Sequence, residues 1–369
     1  MALLEVEDLR VSFATEDGEL EAVRGLSFSL DAGQTLAIVG ESGSGKSVAT
    51  QTMVGLTAGA RISGTARFDG ADLLTMRAGA LRRLRGKEIG FVFQDPLTSL
   101  HPQYRVGWQL AEVLQAHGSV SSSAARARAI ELLTHVGISQ PDRRVDDYPH
   151  QLSGGMRQRV MIAMAMALDP RLLIADEPTT ALDVTVQAQV LELMKRLQAE
   201  HGSALIIITH DLGVVADMAD IVLVMYAGRA VEVADRRTLY YRSHHPYTLG
   251  LLASVPLAAG HGAGERLVPI AGAPPSLLSL PAGCSFHPRC PFVMDVCTTT
   301  RPELEPVPGG TGVAHTSACH LPAQALGPGA EATALRREAV HAGRSAGGPA
   351  EAVAGPVTDA ADAALGQPA

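Results

Sequence analysis

The chain has 369 residues, of which 46% are apolar and 18% are charged, and its formal net charge is −8. This size and apolar content predict a globular protein with one large domain or two modest ones. Because a negative net charge gives no general attraction to a phosphate backbone, we expect no nucleic acid as a main partner. The first residues lack the basic and apolar regions of a secretory signal, and charged residues interrupt the most apolar stretch, 205–225. We therefore expect a cytoplasmic chain that does not cross a membrane.

The N-terminal region predicts a small antiparallel sheet, a buried strand and a glycine-rich loop in succession. Apolar and β-branched runs fill 3–39, and the run at 35–39 predicts the buried strand. The loop follows directly as Gly40-Glu41-Ser42-Gly43-Ser44-Gly45-Lys46-Ser47, and a helix-compatible run extends over 47–56. This order predicts a P-loop, so we expect Gly40 and residues 42–47 to contact nucleotide phosphates. Lys46 would reach the β- and γ-phosphates, and the Ser47 hydroxyl would ligate Mg²⁺.

The middle of the chain changes pattern twice. From about 95 to 168 the apolar residues recur at spacings of three and four, which predicts a helical subdomain with helices at 106–117 and 124–136. Strand and helix patterns then alternate again, with strands predicted at 172–175, 204–208 and 221–225 and a helix at 184–200. Such alternation predicts a mainly parallel sheet that helices cover.

Polar side chains follow the strands of this predicted sheet. Asp176 and Glu177 end the apolar run at 172–175, at the edge where parallel strands present ligand-binding residues. We therefore expect Asp176 to hold Mg²⁺, directly or through water. Gln94 follows a predicted strand at 89–93, and His210 follows the strand that begins at 204. Taken alone, neither Gln94 nor His210 indicates a function.

A second glycine-rich segment, Leu152-Ser153-Gly154-Gly155-Met156, opens a predicted helix shortly before the acidic strand end. Its hydroxyl, amides and helix N-terminus form an anion site that has no phosphate of its own, so we expect it to bind the nucleotide of a partner chain. Together with the P-loop and the acidic pair, this segment makes the chain resemble the ABC (ATP-binding cassette) ATPases. The resemblance implies two cassettes packed head to tail, with ATP and Mg²⁺ as cofactors.

The resemblance also implies roles for single residues. Glu177 corresponds to the base that polarises the attacking water, Gln94 to the glutamine that meets the metal and this water, and His210 to the histidine that contacts the γ-phosphate. Phe13 lies where the family stacks an aromatic ring on adenine, and phenylalanine is also a common core residue. Asp183 resembles the aspartate of the loop that crosses the interface between the two cassettes.

Further segments resemble one branch of the family, the ATPases of oligopeptide, dipeptide and nickel importers. They are 94–102, 224–229, 245–248 and 274–277. One departure is His101, where many relatives carry Asn, beside the region expected to touch membrane subunits. The resemblance implies an α/β fold with a P-loop ABC ATPase core, an N-terminal antiparallel β subdomain, an inserted α-helical subdomain and a C-terminal cysteine-containing extension.

The composition divides the chain into three parts. The resemblance implies an ABC nucleotide-binding domain at 1–245, with the helical subdomain at about 95–168. Residues 246–322 are rich in Pro and Gly and carry all four cysteines, which predicts an appended extension rather than part of the core. Residues 323–369 are dominated by Ala, Gly and Pro. Because few large apolar side chains could offset the entropy cost of ordering, we expect a disordered tail there.

The four cysteines are Cys284, Cys290, Cys297 and Cys319. Their confinement to one segment of a chain expected in a reducing compartment favours metal ligation over disulfides. Their spacing does not fit the paired CxxC pattern of structural zinc. In similar peptide-importer ATPases this cluster is associated with a [4Fe-4S] centre, which four thiolates can ligate. Zinc, with His287, His315 and His320 as spare ligands, and four reduced thiols without metal are the alternatives.

The resemblance implies an ATP-hydrolysing subunit that energises import of peptides or a related small solute. Its expected partners are two integral membrane permease subunits, a second homologous ATPase in a heterodimer, and an extracytoplasmic solute-binding protein. The expected location is the cytoplasmic face of the cell (inner) membrane, where the chain would be peripheral.

Two other classes of function compete with this interpretation. The first is a soluble ABC ATPase of DNA repair, translation or iron–sulfur assembly. Repair relatives carry a long coiled coil between the P-loop and the signature segment, whereas only 107 residues separate Lys46 from Ser153 here, with no heptad run. Translation relatives usually carry two cassettes in one chain. The second class, a regulatory module with a dead site, is disfavoured because Lys46, Asp176, Glu177 and His210 are all present.

Overall fold

The computed structural model describes residues 2–180, 182–254, 269–308 and 315–322, so the tail at 323–369 lies outside the described residues. The strands are β1 Leu4–Thr15, β2 Gly18–Leu30, β3 Thr35–Val39, β4 Ala60–Phe68, β5 Ala71–Asp72, β6 Ile89–Val92, β7 Leu172–Asp176, β8 Ala204–Thr209, β9 Ile221–Tyr226, β10 Arg229–Asp235, β11 Glu305–Pro306 and β12 Thr316–Ser317. The helices are α1 Lys46–Met53, α2 Ala78–Leu84, α3 Pro96–Ser99, α4 Val106–His117, α5 Ser122–His135, α6 Pro141–Arg144, α7 Gly154–Met166, α8 Val184–His201, α9 Leu212–Met218, α10 Arg236–Arg242, α11 Pro246–Ala253 and α12 Asp295–Thr299, with 3₁₀ turns at Pro149–Gln151 and His287–Arg289. Within the described ranges, none of these helices combines the length and the apolar character that a membrane span requires.

Two sheets form the frame of the molecule. An eight-stranded sheet has the order β11-β12-β10-β9-β3-β8-β7-β6, and its strands from β9 to β6 run parallel. A four-stranded antiparallel sheet has the order β2-β1-β4-β5. Strands β3, β7 and β8 are buried over their whole lengths, because elements cover both faces of the parallel sheet. The predicted α/β class with an N-terminal antiparallel sheet is confirmed.

Strand β3 lies between the two layers of the hydrophobic core. Leu36 and Ile38 belong to the cluster shared with the antiparallel sheet, whereas Ala37 and Val39 belong to the cluster shared with the helices. This alternation has the period of two of a β-strand. Strand β8 repeats it, because its parallel register places Ile206 beside Leu36. The loop that follows β3 therefore starts from the centre of the sheet.

Helices α3 to α7 occupy the region where the sequence predicts a helical subdomain. The helices predicted at 106–117 and 124–136 are α4 and α5, and α5 begins two residues earlier than predicted. Gln109 of α4 is buried, and its side-chain amide bonds the His101 N–H at 2.9 Å, the His101 carbonyl at 3.0 Å and the Tyr104 carbonyl at 2.9 Å. These bonds tie the loop between α3 and α4 to the helix that follows.

The described residues of the C-terminal region add two short strands to the core sheet. Strand β12 pairs with β10, with Thr316 opposite Val233, and β11 pairs with β12. Tyr247 and Phe286 are buried members of the larger core cluster. Two-residue strands and single buried aromatic residues leave no periodic pattern in a segment rich in Pro and Gly, so the sequence did not reveal this packing.

Glu232 on β10 anchors the C-terminal region. Its side chain is fully buried and accepts the backbone N–H groups of His244 and His245, while His315 Nε2 lies 2.7 Å from its Oε1. Burial lowers the pKa of His245 to about 4, so this ring is neutral near pH 7. Its Nδ1 accepts the Tyr247 N–H at 3.1 Å and caps α11. His315, a sequence candidate for zinc, therefore faces Glu232.

Candidate nucleotide-binding site

The loop between β3 and α1 approaches two neighbouring strands closely. Gly40 has φ of 155°, and a Cβ at this position would lie 2.2 Å from the Met225 carbonyl oxygen. Gly45, which caps α1 with φ of 97°, would place a Cβ 2.3 Å from the Ala22 carbonyl oxygen. Real Cβ atoms do not make such contacts, so only glycine fits at these two positions. Helix α1 follows the loop as predicted, but it begins at Lys46, one residue before the predicted run at 47–56, and ends at Met53.

Unused polar groups of this loop fit a phosphate ligand. Ser42 and Gly43 are exposed at its tip, whereas Ser44 is buried. Within the described residues the Ser44 hydroxyl has no hydrogen-bond partner. Because buried hydroxyls are nearly always hydrogen-bonded, this one is suited to an acceptor that arrives with a ligand. The loop also lies at the N-terminus of α1, whose amides favour an anion.

Lys46 is buried under this loop. Its Nζ donates to the carbonyl oxygens of Gly40 at 2.8 Å and Glu41 at 2.9 Å. Burial lowers its pKa, and the negative charges of Glu177, Asp176 and Glu41 oppose that shift. The amine is thus held against the loop by neutral acceptors, where a polyphosphate would offer it charged ones.

A hydroxyl and a carboxylate suited to Mg²⁺ lie beside the loop. Ser47 Oγ donates to Asp176 Oδ1 at 2.8 Å, and Gln51 Nε2 lies 3.4 Å from Asp176 Oδ2. Asp176 is 2% exposed. Burial is the main cause that raises its pKa, and the charge of Glu177 adds to the shift. A divalent cation prefers such oxygen ligands and would favour the ionised carboxylate. Gln51 was not a sequence candidate.

Three predicted residues meet next to this acidic strand end. Glu177 Oε2 accepts Gln94 Nε2–H at 3.0 Å and the Thr180 hydroxyl at 2.9 Å. His210 Nδ1 lies 3.6 Å from Glu177 Oε1. Glu177 has φ of 46°, which is uncommon for a residue with a side chain and costs about 1–3 kcal/mol. Its N–H donates to the Ile208 carbonyl at 2.9 Å, so β8 holds the carboxylate at the sheet edge.

The second glycine-rich segment lies at the start of α7. The Ser153 hydroxyl caps this helix by accepting the Met156 N–H at 3.3 Å. Asp183 caps α8 in the same manner, and a Cβ on Gly155 would lie 2.6 Å from Val186 Cγ1 of α8. The two helix starts therefore pack side by side. Within the described residues, no hydrogen bond joins 153–155 to the P-loop.

Phe13 lies on strand β1 of the antiparallel sheet. It is paired with Leu20 of β2 and Ala60 of β4 and is half-buried against the smaller core cluster. Its ring therefore has the packing of a core residue on one side and solvent on the other. The contact of Phe13 with adenine therefore stays a prediction.

Two contacts from the C-terminal region were missed by the sequence reasoning. The Glu41 N–H donates to Tyr247 Oη at 2.8 Å, and the Glu41 carboxylate receives two hydrogen bonds from Arg289. Tyr247 lies in the segment 245–248, which resembles the importer ATPases, so the sequence carried a signal for this residue. Arg289 lies between Cys284 and Cys290, and its sequence context carries no signal for a contact with the P-loop.

The four cysteines share one small cavity. Cys284, Cys290, Cys297 and Cys319 all line it, together with His245, His287 and His320. All four are free, and burial raises the pKa of the Cys290 and Cys319 thiols to about 12. In the described ranges, no group of three or more His, Cys, Asp or Glu side chains is arranged to hold a single metal ion. The structure thus brings the thiols together without forming a site for one ion.

Comparison with known proteins places this geometry in a family. Residues 23–180 match the ABC transporter family, and residues 231–297 match the C-terminal region of the oligopeptide/dipeptide transporters. The oligopeptide transport ATP-binding protein OppD of Escherichia coli K12 is 50% identical over 326 residues, which are 88% of this chain and 95% of that protein. The chain belongs to the peptide-transporter branch of the ABC ATP-binding proteins. The resemblance stated from the sequence is confirmed.

Other relatives extend the comparison. OppD of Mycobacterium tuberculosis is 55% identical over 320 residues, which are 86% of this chain and 51% of that protein. The chain thus spans about half the length of this curated relative. The solved dimer of the ATP-binding cassette MJ0796, in a post-hydrolysis state bound to ADP and Pi, matches with a TM-score of 0.58 and 27% identity. The match covers 63% of this chain and 99% of the MJ0796 chain. The ABC ATPase fold is therefore confirmed.

The close approach at Gly40 can be tested against a matched glycine. We expect Gly40→Ala to abolish detectable binding of a fluorescent ATP analogue, because the added methyl collides with the Met225 carbonyl. Gly43 also has positive φ, at 77°, but a Cβ there meets nothing within 4 Å. Gly43→Ala should therefore cost only about 1–2 kcal/mol of conformational strain. Equal binding by the two variants, at equal urea unfolding midpoints, would contradict this account of the loop.

Proposed function

We propose that the chain is the ATP-hydrolysing subunit of a membrane ABC transporter that imports dipeptides, oligopeptides or a related small solute. The observation that carries the proposal is the cluster of Gln94, Glu177 and His210 next to Lys46 and Asp176, in a chain whose C-terminal region matches the peptide transporters. The relatives are oligopeptide transport ATP-binding proteins, which favours this activity over the soluble ABC ATPase alternative.

Each residue of the cluster has a chemical task in ATP hydrolysis. Ser47, Asp176 and Gln94 would hold Mg²⁺, which when bound neutralises phosphate charge. Lys46 and the loop amides bind the β- and γ-phosphates and stabilise the charge that develops on them. Glu177 takes the proton of the attacking water, and its hydrogen bonds from Gln94 and Thr180 aim its carboxylate.

His210 and the signature segment complete the proposed site. The His210 ring is mostly exposed and lies beside Glu177, where it can contact a γ-phosphate. Residues 153–155 and Asp183 lie together at paired helix starts, so they can present one surface to a second cassette. The dimeric form of the solved relative MJ0796 supports this arrangement. We propose a second homologous ATPase as the partner and Phe13 as the residue that stacks on adenine.

An exposed aromatic surface supports docking to membrane subunits. Leu97, Tyr104 and Trp108 are 60%, 43% and 48% exposed, although each is a large apolar or aromatic side chain. The rings of Tyr104 and Trp108 stack with centroids 4.1 Å apart. Leu97, the first residue of this surface, follows Gln94 by three residues. A movement of Gln94 in the ATP site would therefore be passed directly to this surface. We propose that this surface docks to two permease subunits. The chain would then lie peripherally on the cytoplasmic face of the membrane. A solute-binding protein would serve the same transporter from the outside.

We also retain the domain boundaries as a proposal. A nucleotide-binding domain at 1–245 with a helical subdomain at about 95–168 agrees with the run of helices α3 to α7. The extension at 246–322 would be a structural part of the cassette, because its described residues join the core sheet. The match to the peptide-transporter C-terminal region starts at 231, on the last long strand of that sheet.

We propose an iron–sulfur cluster as the ligand of the four cysteines. Four thiols that line one cavity provide the donor set of a [4Fe-4S] cluster, in which each iron takes one thiolate. Zinc is the weaker alternative, because no three donors in the described ranges are arranged around one ion. The cavity measures about 10 Å³, which is at the lower limit of what a single water molecule needs. Binding a cluster therefore requires its lining side chains to rearrange and the thiols to lose their protons.

The assignment of Glu177 predicts the effect of Glu177→Gln. We expect ATP hydrolysis to fall by a factor of about 100 or more, because the variant lacks the base. MgATP binding should stay within about threefold of wild type. Glu200→Gln, on an exposed turn of α8, is the matched control and should hydrolyse ATP at the wild-type rate. A Glu177→Gln variant that hydrolyses ATP as fast as wild type would refute the assignment.

The docking proposal predicts which proteins co-purify with the chain. We expect the tagged chain, extracted from native membranes in mild detergent, to recover two integral membrane proteins and a second cassette ATPase, identified by mass spectrometry. Trp108→Glu should lose the membrane proteins and keep ATP binding. Tyr241→Glu, which alters another exposed aromatic residue, should keep both. Recovery of the wild-type chain only from the soluble fraction would support the non-transport alternative.

The cluster proposal predicts the metal content of the chain. We expect about four iron and four acid-labile sulfide per chain after anaerobic purification. Cys297→Ser should lose most of this iron, whereas Ser285→Ala, which changes the same segment and keeps every thiol, should retain it. About one zinc per chain would favour the zinc alternative. Absence of both metals would leave four reduced thiols as the correct interpretation.

A further inference from the structure

An arginine of the cysteine segment binds the P-loop directly. Arg289 lies between Cys284 and Cys290, and its side chain is 5% exposed. Its two terminal nitrogens donate to the two carboxylate oxygens of Glu41 at 2.6 and 2.9 Å. Its Nε donates to the Ala271 carbonyl at 2.9 Å. All three nitrogens therefore have acceptors, and the planar guanidinium is held in one orientation.

Aromatic rings complete the surroundings of Arg289. The guanidinium carbon lies 5.8 Å from the centre of the Tyr226 ring and 5.9 Å from that of Phe286. Tyr226 is the last residue of β9. The residue before it, Met225, contacts Gly40 of the P-loop. Contacts at these distances favour a cation over the ring face. The arginine is thus positioned by the core sheet as well as by its own segment.

Glu41 connects Arg289 to Lys46, the proposed phosphate-binding lysine. Its N–H donates to Tyr247 Oη at 2.8 Å, and its carbonyl oxygen accepts Lys46 Nζ at 2.9 Å. One residue of the P-loop therefore bonds Arg289 through its side chain, Tyr247 through its N–H and Lys46 through its carbonyl. A shift of Glu41 would therefore move one of the two carbonyl oxygens that hold the lysine amine.

The charge of Glu41 opposes the ligand that the loop is built to bind. Its negative charge acts on Lys46, whose pKa it raises against the effect of burial. Asp176 and Glu177 have uses next to a bound nucleotide, as metal ligand and base, whereas Glu41 has none. An uncompensated carboxylate here would repel a polyphosphate, and its pairing with Arg289 removes that repulsion.

We propose that Arg289 is a positioning residue of the ATP site: it fixes Glu41 and cancels its charge, so that the P-loop binds a nucleoside triphosphate. The C-terminal segment thereby forms part of the ATP site of its own chain. This inference rests on the proposed ATP-hydrolysing function.

The experiment measures the Kd of the full-length chain for Mg²⁺ with AMPPNP, a non-hydrolysable ATP analogue, by calorimetry at 50 and 500 mM NaCl. We expect Arg289→Ala to weaken binding about tenfold at low salt, as for one partly screened charge contact. The loss should shrink at high salt, since ions screen the partly exposed Glu41 carboxylate. The double variant Glu41→Gln with Arg289→Ala should bind within about threefold of wild type. In ATPase assays, Arg289→Ala should raise KM more than it lowers kcat.

Arg171 offers a matched control. It donates to both oxygens of Asp69 at 2.8 and 3.3 Å, and it lies 5.7 Å from the Phe68 ring. It precedes β7 and so lies at the opposite end of that strand from Asp176. Arg171→Ala removes the same kind of contact from a place remote from the P-loop, and it should leave the Kd unchanged.

The outcomes separate the inference from the proposed function. Wild-type binding by Arg289→Ala would overturn the inference. The inference would also be overturned if Arg289→Ala lost the same binding affinity at both salt concentrations and the double variant with Glu41→Gln did not restore it. That result would indicate that Arg289 has a purely structural role. If Arg289→Ala does not fold, Arg289→Lys, which keeps the charge and loses the paired bonds, should bind about threefold more weakly. Glu41→Gln alone should bind at least as tightly as wild type, and weaker binding would overturn the inference. Failure of the wild-type chain itself to bind would instead refute the proposed function.

Discussion

The close approach of the P-loop to its neighbouring strands is the constraint on which the rest of the site depends. Gly40 and Gly45 leave no room for a Cβ against the Met225 and Ala22 carbonyls, so the loop backbone is fixed by strands β9 and β2. Because β3 lies in the middle of a parallel sheet, the ends of β6, β7 and β8 arrive at the same edge. Strand register, not local sequence, then brings Gln94 and Glu177 within hydrogen-bond distance.

Charge balance is the second constraint. The loop holds a buried lysine, and three carboxylates act on it, those of Glu41, Asp176 and Glu177. Burial alone would make both the lysine amine and the Asp176 carboxyl less charged. Nucleotide phosphates would favour the charged form of the lysine amine, and Mg²⁺ would favour the ionised form of the Asp176 carboxyl, because each ligand carries the charge opposite to that group. The site is therefore tuned for a ligand that brings a polyanion and a cation together.

The C-terminal region belongs to this arrangement. It adds β11 and β12 to the core sheet and places a buried histidine against Glu232. It also places Tyr247 and Arg289 against the P-loop. A segment that sequence composition describes as an extension is thus part of the core in its packing. Cys290, which lines the cysteine cavity, directly follows Arg289, the residue that binds Glu41.

The sequence by itself determined the P-loop, the signature segment, the acidic strand end and the α/β class, because each is encoded in contiguous residues with a local pattern. Helix α4 was placed to the residue for the same reason. The meeting of Gln94 with Glu177 was expected only through family resemblance, since their separation of 83 residues carries no local signal. Only the tertiary structure decided that Arg289 binds Glu41, 248 residues away, and that β12 joins β10. A contact between distant residues is chosen by the packing of the whole core, which short patterns in the chain do not specify.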